Sequence, residues 1–258
     1  MRVAVIGCGV MGSAFARQCA KKGHSLLLCD HSEEKGRALA DELEGSFYSD
    51  LREAATKADA ILLAIKPKDL KACSKQIGQL KGQILLSILA GTELKTLKDA
   101  FPGAEVVRCM PNLALTVGES VIAIAKDDTL CPSVVEKIDH LLEGMGLVFW
   151  AEEVKIDPIT ALAGSGPAFI LVMIESLVEG GIIMGLRADE AKELALQTMI
   201  GAVALAKTQP GHPGNIRWQI SAPGGTTIAG MKALEESGLR IGIINTLLAT
   251  LEKTQELH

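Results

Sequence analysis

The sequence predicts an α/β protein, with a parallel-sheet domain over 1–151 followed by an all-α domain over 152–258, and three observations carry this. Short apolar runs alternate with helical segments through the first part. After Trp150 the alternation stops and only helical patterns follow. Aromatic residues are 3% of the 258, against 48% apolar, so the core is built from Ala, Leu, Ile and Val. Strands apolar on both faces need helices on both faces, which is the arrangement of a parallel sheet.

Arg2–Ile6 reads as a buried strand and Val10–Lys21 as a helix closed by Gly23. Ser25–Cys29 is a second strand, and Ser32 caps a helix over Glu33–Leu43. Ala60–Ile65 is a continuous apolar strand ended by Pro67. Gln83–Ser87 and Glu105–Cys109 are two more, with helical segments at about 68–79 and 93–100. A βαβ-like piece follows in Val121–Ala125, Ser133–Gly144 and Leu147–Trp150. The second part is read as helices at about 153–163, 166–185, 188–206, 212–220, 225–237 and 239–255. The helix from Pro167 is apolar nearly all round and must be buried on most sides. A domain of roughly 108 residues does not bury such a helix alone, so a homo-oligomer assembled through the C-terminal half is expected.

The net charge is −5 and no Lys/Arg cluster stands out, so nucleic acid is not an expected partner. The six cysteines, Cys8, Cys19, Cys29, Cys73, Cys109 and Cys131, form no CxxC pair; reduced thiols in a cytoplasmic protein are expected, with no metal site. The apolar start resembles a signal peptide only superficially: it breaks at Gly7 and no small-residue cleavage site follows. The longest apolar run, Ala168–Val178, carries Glu175 and is read as too short to span a membrane.

Ile6 leads into Gly7-Cys8-Gly9-Val10-Met11-Gly12, a GxGxxG motif that follows a strand and opens a helix. In a Rossmann-type domain the first glycine permits the tight turn, the second leaves room for a pyrophosphate, and the third lets helix and strand pack closely. The phosphates then meet unpaired amides at the positive end of a helix. A plain βα turn with packing glycines is the alternative. Asp30 ends the second strand where an acid normally holds the ribose hydroxyls, which favours NAD. A loop acid or helix cap is the other reading of Asp30, and His31 and Ser32 leave a 2′-phosphate, hence NADP, open. Ala64-Ile65-Lys66-Pro67 and Ala90-Gly91 end two further strands, at the crevice where a dinucleotide lies. Lys66 either faces a ligand or is a surface lysine.

In Ser221-Ala222-Pro223-Gly224-Gly225-Thr226-Thr227, the Pro-Gly-Gly forces a turn and the threonines begin a helix. Free amides and hydroxyls there suit a carboxylate, or else simply cap the helix after a Gly-Gly hinge. With this motif the chain resembles pyrroline-5-carboxylate reductase over nearly its whole length. The resemblance rests on IGCGVMG (6–12), AIKP (64–67), SILAG (87–91), MPN (110–112), VGES (117–120), TALAGSGPAF (160–169), GLRADEA (185–191), HPGN (212–215) and SAPGGTTIAG (221–230).

The resemblance implies a Rossmann domain, then a helical dimerisation domain forming homodimers that often assemble into larger rings. It implies reduction of the cyclic imine of 1-pyrroline-5-carboxylate to L-proline with NADPH or NADH. It implies that Gly225, Thr226 and Thr227 hold the substrate carboxylate, with Thr227 the catalytic donor nearest the imine nitrogen. Gln219 and Glu153 fall at substrate-contact positions, and Met110, Pro111 and Asn112 beside the nicotinamide. The chain departs from the family at Ala163 and Ala222, where serines are usual, at Phe169 for Tyr, at Leu113-Ala114 for Thr-Pro, and at Leu51 for Asn. The lost hydroxyls keep another cyclic imine, such as pyrroline-2-carboxylate, as a rival substrate, and a non-catalytic dinucleotide sensor is a further alternative. A β-hydroxyacid dehydrogenase is disfavoured because no lysine occurs between Lys155 and Lys192. His212, beside Pro213, is read as a structural cap.

Overall fold

A computed structural model describes residues 1–256. The chain divides into two compact units, Met1–Ser165 with the segment from Thr250, and Gly166–Ala249. The first begins as expected: β1 (Arg2–Ile6), α1 (Val10–Lys21), β2 (Ser25–Cys29) and α2 (Glu33–Glu42), the last capped by Ser32 accepting from the Lys35 amide. Two elements were not anticipated, β3 (Ser46–Phe47) and α3 (Leu51–Lys57). Asp50 caps α3, its carboxylate accepting from the amides of Arg52 and Glu53. Then follow β4 (Ala60–Leu63), a 3-10 turn at Pro67–Asp69, α4 (Leu70–Ile77), β5 (Ile84–Ser87), α5 (Leu94–Ala100), β6 (Glu105–Met110), β7 (Ser120–Ala125), α6 (Pro132–Leu142) and β8 (Gly146–Ala151).

The eight strands form one sheet in the order β3-β2-β1-β4-β5-β6-β7-β8. All neighbours are parallel except β6 and β7. That reversal departs from the all-parallel reading, and chain length explains it. Only residues 111–119 separate the two strands, whereas a parallel return needs a crossover of about a dozen residues or more. Alternate strand residues supply two cores. Val3, Val5, Leu28 and Leu62 pack with α1 and α6 on one face; Ala4, Ile6, Ile61 and Leu63 pack with α3, α4 and α5 on the other. The unit then runs through α7 (Ile156–Ile159) into a π-helical turn at Thr160–Gly164.

The second unit contains α8 (Gly166–Ile183), α9 (Ala188–Thr208), α10 (Pro213–Ile220), α11 (Thr226–Glu236) and the start of α12 (Leu239–Gln255). His212 caps α10 by accepting from the Gly214 amide at 3.0 Å, the structural role its sequence context indicated. The expected burial of α8 is not met within one chain. Of its residues only Gly181 is buried, while Leu171 is 63% exposed and Ile183 86% exposed. One expectation about this segment is corrected. The helical run Glu153–Ile183 is 31 residues long with a mean hydropathy of 1.7 over its most apolar window, enough by length and composition to cross a membrane. The gap read between helices at about 153–163 and 166–185 is bridged by the π turn at Thr160–Gly164, so shortness is no argument against a span.

Candidate functional site

The order of strands places β1 between β2 and β4, so the chain leaves β1 toward opposite sides of the sheet. Such a switch point opens a crevice at the carboxyl ends of the strands. The three glycines there divide the work as the motif demands. Gly7 has φ +100°, and a Cβ on it would stand 2.4 Å from the Ala64 carbonyl oxygen, so both backbone and space require glycine. A Cβ at Gly12 would stand 1.8 Å from the Gly7 carbonyl oxygen, which is the close approach of helix to turn. A Cβ at Gly9 would meet nothing within 4 Å. The fold does not need that glycine for packing; the space in front of it is open. Gly9 is also the N-cap of α1 and no side chain caps the helix there, leaving first-turn amides for an anion. These features fit a dinucleotide diphosphate.

Asp30 sits at the end of β2 as expected but faces inward. Its Oδ2 accepts from the Cys8 amide at 2.7 Å and its Oδ1 from the Ser32 amide at 2.8 Å. Its side chain is 5% exposed. It therefore ties the glycine turn to the β2–α2 loop. His31 is 95% exposed, with Nδ1 3.1 Å from Asp30 Oδ1, and the Ser32 hydroxyl is occupied as the α2 cap. Cys8 lies beneath the turn with Sγ 3.6 Å from the Cys29 carbonyl, and burial with the nearby Asp30 charge pushes its thiol up to about 11. A thiolate nucleophile is not available there at neutral pH.

β4 stops at Leu63, two residues short of the expected end. Ala64 still donates to the Ile6 carbonyl at 2.8 Å, while Lys66 and Pro67 are exposed. Ala90 is exposed and Gly91 has φ +64°. Met110 ends β6; Pro111 and Asn112 are buried behind it. Asn112 spends its amide on protein partners: Oδ1 accepts from the Ala114 amide at 3.1 Å and Nδ2 donates to the Ala163 carbonyl at 2.9 Å. Glu153 is likewise engaged inside the first unit. Its Oε1 accepts from Arg108 Nη1 at 2.8 Å and from the Leu94 amide at 2.6 Å. Arg108, in the middle of β6, also lies 3.5 Å from Asp157, and it is 2% exposed. Glu153 thus neutralises a buried arginine through Oε1, and its side chain is one-third exposed.

Arg108 and Ser120 are the residues that sequence reasoning passed over. Both are almost fully buried, and Ser120 Oγ accepts from the Asn112 amide at 3.0 Å. The signal was present: a charged residue inside an apolar strand must be paired.

In the second unit Gly224 has φ +68°, and the Gly225 amide donates to the Ala222 carbonyl at 3.0 Å. The turn therefore closes through backbone alone, without the hydroxyl missing at 222. Gly225 is the N-cap of α11, again with no capping side chain, and Thr226 and Thr227 form its first turn. Gln219 is exposed on α10. A hollow of about 550 Å³ lies among α10, α11 and α12 and one of about 270 Å³ between α10 and α11, and neither is lined by Gln219, Gly225, Thr226 or Thr227. Among the described residues no cluster of His, Cys, Asp and Glu is arranged for a metal, and the cysteines are all unpaired.

Residues 153–257 match the family model described as pyrroline-5-carboxylate reductase dimerisation, and residues 2–91 match one described as NADP oxidoreductase, coenzyme F420-dependent. The chain is 36% identical over 260 residues to a pyrroline-5-carboxylate reductase of Aquifex aeolicus, covering 100% of this chain and 97% of the relative. It is 36% identical over 263 residues to that of Synechocystis sp., covering 100% and 98%. Among solved structures, a pyrroline carboxylate reductase of Plasmodium falciparum with NADP bound superposes with a TM-score of 0.88 at 26% identity, covering 100% of this chain and 98% of that one.

Proposed function

The chain belongs to the pyrroline-5-carboxylate reductase family, and we propose that its glycine turn at 7–12 receives the cofactor and its glycine turn at 224–227 the substrate carboxylate. The activity is NAD(P)H-dependent reduction of the cyclic imine of 1-pyrroline-5-carboxylate to L-proline, the last step of proline biosynthesis. The bound nicotinamide supplies the hydride. The chain's own residues supply placement.

The observation that carries the cofactor end is the open space at Gly9 beside the two glycines that have none. Uncapped amides of α1 would face the diphosphate, Lys66, Pro67, Ala90 and Gly91 would border it, and Met110 and Pro111 would flank the nicotinamide. At the 224–227 turn, the amides and hydroxyls of Gly225, Thr226 and Thr227 would hold the carboxylate, with Gln219 nearby. Thr227 would donate toward the imine nitrogen. Orienting a substrate for reaction is worth up to about 7–11 kcal/mol in well-aligned cases.

A homodimer through the C-terminal helices is part of the reading. The uncovered apolar surface of α8 supports it, as does the match of this segment to a dimerisation model. A second copy, not lipid, is the cover proposed for the Glu153–Ile183 run, since Glu175 and Glu179 fall within it. Larger rings of dimers and a cytoplasmic location, in keeping with unpaired cysteines, complete the proposal.

The test is oxidation of NADH and NADPH by the purified protein with pyrroline-5-carboxylate and, separately, pyrroline-2-carboxylate. Thr227→Ala is expected to lower kcat at least about 10-fold with cofactor affinity retained. Normal turnover by that variant overturns the assignment. Cofactor binding by the wild type without turnover of either imine favours the sensor.

A further inference from the structure

The residue expected beside the nicotinamide at the end of the MPN motif has another employment. Asn112 is 7% exposed. Its Oδ1 accepts from the Ala114 amide at 3.1 Å and lies 3.1 Å from Ser120 Oγ, while Nδ2 donates to the Ala163 carbonyl at 2.9 Å. One orientation of the amide satisfies both the Ala114 donor and the Ala163 acceptor, so the assignment of its two ends is fixed by the network. Two of its four hydrogen-bonding positions are filled by the Ala114 amide and the Ala163 carbonyl, and the single proton of Ser120 Oγ is shared among Oδ1 and the Asn112 and Val121 carbonyls.

The partner at Ala163 is not incidental. In a continuing α-helix the Ala163 carbonyl accepts from the amide four residues on, but that residue is Pro167, which has no N–H. The helix responds with a π turn over Thr160–Gly164, in which the Ser165 amide donates to the Thr160 carbonyl at 3.1 Å. The two compact units part between Ser165 and Gly166, immediately after this turn. Asn112 thus pins the last turn of the first unit at the point where the chain crosses into the second, and does so from the loop that follows Met110.

We propose that Asn112 is a positioning residue: its side-chain amide supplies the hydrogen bond that Pro167 withholds from Ala163, and so fixes the π turn through which the chain passes from the dinucleotide unit to the unit carrying Thr227. The inference rests on the reductase reading for its kinetic consequence only. The state of the turn is measurable without substrate.

The experiment compares Asn112→Ala, Pro167→Ala and the double variant. Asn112→Asp, which keeps Oδ1 and loses the donor, stands in if the alanine variant does not fold. For Asn112→Ala, kcat is expected to fall about 10- to 100-fold, the scale of a misplaced reacting group, with the Kd for NADPH within twofold. Amide hydrogen exchange over residues 160–168 is expected to quicken at least tenfold. Pro167→Ala restores an N–H four residues beyond Ala163, so the double variant is expected to regain much of the protection and part of kcat. A Kd for NADPH that rises in step with the loss of kcat, with exchange over 160–168 unchanged, overturns the proposal and returns Asn112 to the cofactor. A double variant no better protected than the single one also overturns it. An inactive wild type whose exchange behaviour follows the expected pattern refutes the reductase reading and leaves the positioning role intact.

Discussion

Asp30 offers the sharpest separation between a cofactor ligand and a structural brace. If the carboxylate held the ribose, Asp30→Ala would chiefly alter the choice between NADH and NADPH. The geometry assigns it instead to the Cys8 and Ser32 amides, at 2.7 and 2.8 Å, with only 5% of the side chain exposed. Hydrogen bonds to a charged acceptor contribute about 1.5–3 kcal/mol each, and a buried amide left unpaired costs about 1–3 kcal/mol. The Ser32 amide lies nearer solvent and regains a water. Removing the carboxylate is therefore expected to destabilise the protein by about 2–4 kcal/mol, most of it at Cys8. For a chain of this size that lowers Tm by roughly 5–15 °C. The released turn also loosens the first-turn amides of α1, so NADH and NADPH affinities are expected to fall by the same factor. Differential scanning calorimetry and fluorescence titration of both cofactors on Asp30→Ala and Asp30→Asn provide the assay, the asparagine variant lying between. An unchanged Tm together with a selective loss of NADH binding would refute the reasoning. His31, whose ring is almost wholly exposed although Nδ1 lies 3.1 Å from Asp30, is the side chain placed to sense a 2′-phosphate, so His31→Ala is the substitution expected to move the ratio.

Gly9→Ala is expected to leave Tm within about 1 °C, because its Cβ meets nothing, yet to weaken NADPH binding at least tenfold. Gly12→Ala, which drives a Cβ to 1.8 Å from the Gly7 carbonyl oxygen, is expected to lose both folding stability and binding; equal Tm losses in the two variants would contradict this division. Burial pushes the Cys8 and Cys73 thiols up to about 11 and those of Cys19 and Cys29 up to about 12, and raises Cys109 in the same direction. These folded values lie above those of the unfolded chain, so the stability they confer is complete below about pH 8.5 and is lost as pH climbs toward them. At one unit above the unfolded pKa the loss is on the order of 1 kcal/mol per thiol, and a Tm that stays flat from pH 8 to 10 would speak against it. Cys131 is exposed, and a hydrogen bond with Ser133 lowers its pKa, so it is expected to be the first thiol alkylated by iodoacetamide. Leu171→Glu places a charge on an apolar surface of α8 that is 63% exposed in one chain, and is expected to reduce the mass seen by light scattering to that of a monomer; an unchanged mass would remove this face from the interface.

What was legible in the sequence followed from local rules. The apolar strands and the helix periods fell where they were read because alternation and the 3.6-residue repeat act within a few neighbours. The glycine turn was legible down to individual roles, since Gly7, Gly9 and Gly12 each meet a different constraint and no other residue type meets all three. The two-residue β3 was too short to carry a pattern. α3 had a readable start, with Asp50 three residues before Glu53 in the manner of a capping box, and was passed over because Leu51 was weighed only as a missing asparagine.

Least legible were the positions at which one side chain has two prospective partners. Asp30 was read as a ribose contact or else a loop acid or helix cap, and Glu153 as a substrate contact on the family resemblance. Their partners within the protein are set by strand register and distance in the chain. β1 and β2 pair Ile6 with Cys29, which puts the Cys8 amide within reach of Asp30, while Glu153 meets Arg108 from 45 positions away. A motif records which residue types a site requires, but it does not record which of them the scaffold uses first. A buried carboxylate beside an unpaired amide or a guanidinium accepts from them whether or not a ligand comes. The side chains left for recognition are consequently those with exposed polar atoms, here His31, Lys66 and Gln219, together with the amides of the two glycine turns. Differences in cofactor or imine preference are expected to map onto that set before they map onto the acids.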